Sequence, residues 1–118
     1  MQRNYDLIRE ILLEIESRRD LPFTQLYLQD DSNKDEVSYQ VKIMADEGLI
    51  DASCDRTYGP SYTYIYVIKD LTPKGHDFID NCRDDGIWKK VKAELGNKIS
   101  SVPFDIITAL LIKYAMGV

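Results

Sequence analysis

Few side chains in this sequence could carry out catalysis, and their spacing matches no catalytic motif. The one histidine, His76, follows a glycine, and no serine or cysteine stands beside it. A nucleophilic site needs a serine or cysteine held beside a base. The adjacent acids Asp30-Asp31 and Asp84-Asp85 point in different directions on a helix or turn, so neither pair suits general acid–base catalysis. We therefore expect no enzymatic activity, no metal site and no cofactor.

The charge balance limits the class of binding partner. The 118 residues include 15 basic and 20 acidic side chains, which gives a net charge of −5. This balance excludes a uniformly basic nucleic-acid-binding protein of the histone type, but it leaves room for a local basic patch. The one basic cluster comprises Lys89, Lys90, Lys92 and Lys98. We interpret it as a solvated helix face that, if DNA is bound, helps to dock the phosphate backbone.

The sequence shows no segment typical of secretion or membrane insertion. The N-terminus has no apolar signal region, and the apolar run over residues 106–112 is too short to span a bilayer. Cys54 and Cys82 belong to no CxxC motif, so we expect free thiols in a cytoplasmic protein. We predict one domain over residues 1–118, with residues 87–118 as a C-terminal helical extension.

The apolar periodicity predicts helices joined by short β-segments. Helical spacing of apolar residues predicts helices over residues 4–19, 34–47 and 72–85, an interruption at Gly86, a continuation to Leu95 and a final helix after Pro103. Tyrosines alternate with β-branched residues after the Gly-Pro-Ser turn signal, which predicts a β-hairpin over residues 52–70. Residues 23–28 are β-prone and predict a short strand.

This order of elements is that of a winged-helix domain, an α+β fold with a recognition-type helix and a β-hairpin wing. Three segments also resemble the family called domain of unknown function 2513, namely Arg3 to Ile15, Val37 to Ile50 and Leu71 to Lys92. The sequence departs from that family at Gln40, where we expect histidine, and in its longer tyrosine-rich hairpin. The resemblance implies a winged-helix core and a phage or prophage setting, and it implies no activity.

The helix over residues 34–47 is the candidate DNA reader. Donors to phosphates or base edges would be Lys34, Ser38, Tyr39 and Lys42, with Arg56 on the wing over residues 56–61. Residues 30–55 contain eight acids and two lysines, a local charge of −6 that would repel a duplex. The leading hypothesis is a DNA-binding transcriptional regulator of phage or prophage origin. Under it, Lys42→Glu weakens DNA binding.

The competing hypothesis is a winged-helix module that binds a host or phage protein through an acidic, tyrosine-rich surface. On the hairpin, the candidate contact residues are Tyr62, Tyr64 and Tyr66, because tyrosine is enriched in protein interfaces. The final helix is apolar over more than half its circumference, so it is expected to lie in the core or against a second chain. As a homodimer seam, its candidate face comprises Phe104, Ile107, Leu111 and Tyr114.

Overall fold

Five α-helices and one antiparallel β-hairpin make up the computed structural model, which describes residues 2–56 and 63–117. The elements are α1 (Tyr5–Ser17), α2 (Lys34–Asp46), β1 (Ile50–Arg56), β2 (Tyr64–Leu71), α3 (Pro73–Cys82), α4 (Asp85–Leu95), a 3₁₀ helix (Gly96–Ser101) and α5 (Phe104–Ala115). Within the described residues the fold is therefore α+β, with β1 paired to β2. The tip of the predicted wing, residues 57–61, lies outside the described residues.

Local capping sets the helix boundaries close to the predicted ones. Asn4 begins α1 by accepting the Leu7 N–H at 3.1 Å, and Thr72 begins α3 by accepting the Gly75 N–H at 3.1 Å. The predicted interruption at Gly86 is misplaced, because Asp84 caps α4 through the Ile87 N–H at 3.0 Å. Gly86 instead lies in the first turn of α4, since a strong N-cap determines the boundary more than an isolated glycine does.

A short junction connects α2 to β1, and this junction packs against α3. Gly48 ends α2 with φ +81°, as expected for a left-handed C-terminal residue, and Leu49 and Ile50 then enter the core. Gly75 of α3 approaches this turn so closely that a Cβ would lie 2.0 Å from the Leu49 carbonyl oxygen. The junction therefore fixes α2 relative to α3, and glycine is required at the contact.

One hydrophobic core extends through all five helices and the hairpin. The core side of α1 is fully buried at Ile8, Ile11, Leu12 and Ile15, as the helical spacing predicts. An aromatic cluster joins the C-terminal helix to this core, since the Phe104 ring makes edge contacts with Tyr5 at 5.2 Å and Phe78 at 5.5 Å between centroids. The predicted C-terminal extension is thus packed into the same core as the hairpin.

The segment over residues 23–28 does not form the predicted strand. Only Phe23 pairs with β2, through two backbone hydrogen bonds with Ile68 at 3.0 and 2.8 Å. Beyond it, the Glu14 carboxylate accepts the backbone N–H groups of Tyr27 and Leu28 at 2.8 and 3.0 Å. These side-chain hydrogen bonds satisfy N–H groups that a strand would have paired.

Arg18 also holds the segment over residues 23–28 in place. Its guanidinium lies between the rings of Phe23 and Tyr27, 3.8 and 3.9 Å from the two centroids. It also donates to both oxygens of Asp20 at 2.6 Å and to the Gln25 carbonyl at 3.1 Å. The loop is therefore a specified structure that sequence periodicity does not reveal.

Candidate interaction surface on α2

The sequence-predicted reader helix forms as expected and places one face in the core. Val37, Val41 and Met44 are fully buried. The opposite face, which we call the α2 surface, comprises Asp35, Glu36, Tyr39, Lys42, Ile43, Asp46 and Glu47. Four acids and one lysine give this surface a formal charge of −3.

The expectation that Ser38 is exposed for DNA contact is wrong. Ser38 is fully buried, where its hydroxyl donates to the Asp35 carbonyl at 3.1 Å and accepts the Tyr64 N–H at 3.1 Å. A small hydroxyl side chain at the edge of the buried stripe can satisfy the backbone N–H at the start of β2. Ser38 therefore joins α2 to the hairpin and is unavailable to a ligand.

Gln40, where the family resemblance leads us to expect histidine, is also fully buried. Its Oε1 accepts the Asn4 N–H at 3.0 Å, and its Nε2 donates to the Gln2 carbonyl at 2.9 Å. Both ends of the amide are thus satisfied by the chain that leads into α1. Gln40 holds that segment against α2, a role that periodicity alone does not predict.

Lys34 and Lys42, the two cations of the predicted DNA site whose side chains the structure describes, lie in different environments. Lys42 Nζ lies 2.8 Å from Asp46 Oδ2 and 5.7 Å from the centroid of the Tyr64 ring. The hydrogen bond to Asp46 raises the pKa of Lys42, so this lysine stays charged but is locally neutralised. Lys34 is exposed, and the side chain of Arg56 lies outside the described residues.

A shallow cleft of about 360 Å³ opens where the α2 surface meets the 3₁₀ helix and the chain before α1. Its wall combines half-buried Tyr39 and Ile43 with two carboxylates; the lining residues are Gln2, Arg3, Tyr39, Ile43, Asp46, Glu47, Ser100 and Ser101. Arg3 Nη2 contacts Glu47 Oε1 at 3.1 Å from within this cleft. An aromatic and an aliphatic side chain beside carboxylates suit the stem and head of a basic side chain.

Tyr64 and Tyr66, the two hairpin tyrosines that the structure describes, do not share one exposed contact surface. Tyr66, a predicted interface residue, is 2% exposed, and its hydroxyl donates to Gln29 Oε1. Burial raises the pKa of Tyr66 to about 12. Tyr64 is half-buried beside Lys42, whereas Tyr62 lies outside the described residues. The expectation of an exposed Tyr66 is wrong, because its side chain is buried and its hydroxyl reaches Gln29 in the loop before α2.

The predicted dimer face of α5 faces inward. Phe104, Ile107 and Leu111 are buried in the core of the same chain. Tyr114 is half-buried, and its hydroxyl donates to Glu94 Oε2 of α4 at 2.6 Å. The prediction of a dimer seam on this face is therefore wrong, because α3 and α4 already cover it.

The basic cluster is divided between a paired lysine and three exposed ones. Lys92 Nζ and Trp88 Nε1 both donate to Asp6 Oδ1 at 2.9 Å. Burial raises the pKa of Asp6, but these two hydrogen bonds and the positive charges of Lys92 and Arg9 lower it, so the pKa lies below its usual range. Lys89, Lys90 and Lys98 are exposed, and among the described residues none of them forms an ion pair.

The residues considered for catalysis are dispersed. His76 is exposed on α3, and both cysteines are free, Cys54 half-buried and Cys82 buried. Burial raises the pKa of the Cys82 thiol to about 11, which opposes thiolate formation. Over residues 2–56 and 63–117, no group of three or more histidines, cysteines or acids is arranged to hold a metal ion. In the same residues, no helix has both the length and the apolar character needed to cross a membrane.

Comparison with known proteins places the chain in a family. An uncharacterized protein of Haemophilus influenzae is 33% identical over 110 residues, which cover 91% of this chain and 89% of that protein. No solved structure matches the chain. Residues 2–101 match the family described as hypothetical protein (DUF2513), a range that ends just before α5. The resemblance seen in the sequence is thereby confirmed, and the chain belongs to the DUF2513 family.

Proposed function

We propose that this chain is a non-enzymatic, winged-helix interaction module of phage or prophage origin whose α2 surface binds a basic patch on a partner protein. The observation that carries the proposal is how α2 uses its polar side chains. Ser38 and Gln40 make their hydrogen bonds inside the fold, and Lys42 is paired with Asp46. Glu47 is paired with Arg3, but four carboxylates against one lysine still give the α2 surface a net negative charge. The module is proposed to act in the cytoplasm, on a host or phage protein.

The order of the helices and strands, and the way they pack, support the winged-helix part of the proposal. α1, α2 and the hairpin follow one another as in that fold, and α2 packs against both strands. Phe23 adds one residue of pairing to β2 before α2, at the place of the short strand in the winged-helix order. The hairpin emerges beside the α2 surface, where Tyr64 lies near Lys42.

The charge of the α2 surface favours a basic partner over a nucleic-acid backbone. DNA affinity depends largely on cations that neutralise phosphates. The α2 surface carries one lysine against four carboxylates; this lysine is paired with Asp46, and Glu47 is paired with Arg3 in the cleft. Those carboxylates would steer a basic protein patch toward the cleft, where Tyr39 and Ile43 supply apolar contact.

The test is a fluorescence-anisotropy titration of the protein on a labelled Lys/Arg-rich peptide at low ionic strength. We expect saturable binding that weakens as salt rises. The double variant Asp46→Asn, Glu47→Gln should weaken binding roughly tenfold, since each lost charge contact is worth about 0.2–1 kcal/mol and the two act in one cleft.

The matched control is Glu10→Gln with Asp77→Asn, which removes two exposed acids from α1 and α3. It changes the net charge by the same amount away from the α2 surface. Equal weakening by both double variants would show attraction to the whole acidic protein, and it would overturn the proposal for the α2 surface. Failure of the wild-type protein to bind the peptide would overturn it as well.

A different observation favours the second candidate, a DNA-binding transcriptional regulator whose phosphate contacts come from α4 and the 3₁₀ helix. Lys89, Lys90 and Lys98 are exposed and, within the described residues, form no ion pair. Under this candidate, Lys89→Glu with Lys90→Glu should reduce binding to random duplex DNA and lessen its salt dependence by about two phosphate contacts. Unchanged DNA binding in that variant would remove α4 from the candidate site.

A further inference from the structure

α5 has a second apolar face, opposite the one that packs into the core. Ile106 is 52% exposed, Ile112 is 41% exposed and Met116 is 73% exposed. These residues share one side of the helix with Asp105, Ala109 and Lys113, and we call this side the outer α5 face. Three large apolar side chains exposed side by side on one short helix indicate a surface that another chain covers.

The residues of the outer α5 face are arranged symmetrically about Ala109. Ala109 lies midway in the sequence between Ile106 and Ile112, and also midway between Asp105 and Lys113. If two copies of α5 pack antiparallel with their Ala109 residues opposite each other, each Ile106 lies level with an Ile112. Each Asp105 then lies level with a Lys113 of opposite charge.

We infer that the outer α5 face binds the same face of a second copy of this chain, as an antiparallel pair related by a two-fold axis at Ala109. A two-fold interface requires a patch that complements itself, and this face does so in both apolar and charged positions. A small residue at the centre allows the two helices to approach closely. A parallel pairing would instead set Asp105 against Asp105 and Lys113 against Lys113.

The charged ends of the face are free enough to make these contacts. The Asp105 side chain is 85% exposed, and its contact with Lys74 is long, at 3.6 Å. Lys113 is exposed, with its Nζ 6.0 Å from the Tyr114 ring centroid and in no ion pair within the described residues. Both side chains can therefore turn toward a partner helix without breaking a strong interaction.

The size of the face sets the expected strength of the dimer. α5 has 12 residues, so the contact extends along about 18 Å of helix. That contact is smaller than a standard interface of about 800 Å² on each partner. We therefore expect a dimer with a dissociation constant in the micromolar range. This expectation is independent of whether the α2 surface binds a protein.

Sedimentation velocity over protein concentrations from low micromolar to about 1 mM tests this inference. The wild-type chain of 13.6 kDa should move from monomer to dimer across this range. Ile106→Glu with Ile112→Glu should remain monomeric, with unchanged circular dichroism, because both side chains lie outside the core. A control for an exposed isoleucine replaced by glutamate elsewhere is Ile65→Glu on β2, which is 60% exposed and should dimerise as the wild type does.

A charge exchange tests the antiparallel geometry. Asp105→Lys and Lys113→Asp should each weaken the dimer at least threefold, and the two substitutions together should restore most of its affinity. A wild-type chain that stays monomeric at the highest concentration would overturn the dimer. Single charge variants without effect, or a double variant weaker than either, would overturn the antiparallel pairing even if a dimer forms.

Discussion

α2 and α5 use their exposed faces in opposite ways. α2 directs neutral polar side chains such as Gln40 inward and exposes mostly acids, so its surface offers charge with a small apolar cleft. α5 places Phe104 and Ile107 in the core and still exposes Ile106 and Ile112, so its surface offers apolar area with one charge toward each end. The α2 surface is therefore suited to salt-sensitive binding, and the outer α5 face to contact that high salt does not abolish.

Substitutions on the two faces of α5 should differ most in how much they lower the free energy of unfolding. Phe104→Ala removes a ring that contacts Tyr5 and Phe78, and we expect a loss of about 3–5 kcal/mol in the free energy of unfolding. Ile106→Ala, on the outer face, should cost less than about 1 kcal/mol in the monomer. Urea unfolding at low protein concentration measures both. Similar losses for the two variants would contradict the division of α5 into inner and outer faces.

Replacing an inward and an outward side chain of α2 should give a smaller difference in the free energy of unfolding. Gln40→Ala leaves the Asn4 N–H and the Gln2 carbonyl without partners, so we expect a loss of about 1–3 kcal/mol. Lys42→Ala breaks an exposed ion pair with Asp46, so the loss should be below about 1 kcal/mol. The same urea experiment compares them, and a larger loss for Lys42→Ala would contradict the placement of Gln40 as the structural residue.

The smallest expected effect on stability is the pH dependence of an ion pair that lies outside the α2 surface and the outer α5 face. Arg83 donates to both oxygens of Glu16 at 2.7 and 2.8 Å, and these hydrogen bonds hold the pKa of Glu16 below its usual range. Because the folded-state pKa is lower than the unfolded one, the pair stabilises the fold above about pH 4.3 and this contribution is lost as pH falls further.

Glu16→Gln should therefore lower stability at pH 7 by less than about 1 kcal/mol, since the pair is partly exposed to solvent. The difference from wild type should disappear toward acidic pH. Thermal unfolding at several pH values measures this convergence. A difference that persists at the lowest pH would show that Glu16 contributes through packing and not through its charge.

Much of the fold follows from local signals in the sequence. Asn4, Thr72 and Pro73 begin helices where their capping preferences predict, and Gly48 ends α2. These signals act within a few residues, so they can be recognised without knowledge of the tertiary structure. The free state of both thiols also agrees with the expectation from cysteine spacing.

Apart from the interruption misplaced at Gly86, which the local Asp84 cap decides, the errors concern contacts between residues that are not neighbours in the sequence. Residues 23–28 have strand propensity, but Arg18 and Glu14 hold most of them in a loop. Ser38 is polar yet buried, because β2 brings the Tyr64 N–H to its hydroxyl. Periodicity identifies an apolar face of α5, but it does not show that α3 and α4 cover that face. Tertiary partners decide which side chains remain for function, and a single sequence does not reveal them.

The most direct test of the role of α2 is an anisotropy titration of wild-type protein and Lys42→Glu on random duplex DNA at low salt. If the α2 surface is a protein-binding face, the two proteins should show the same DNA affinity, whether that affinity is negligible or arises from the lysines of α4. A marked loss of DNA binding in Lys42→Glu, with a smaller salt dependence, would contradict the account. It would identify α2 as a DNA reader despite its acidic surface.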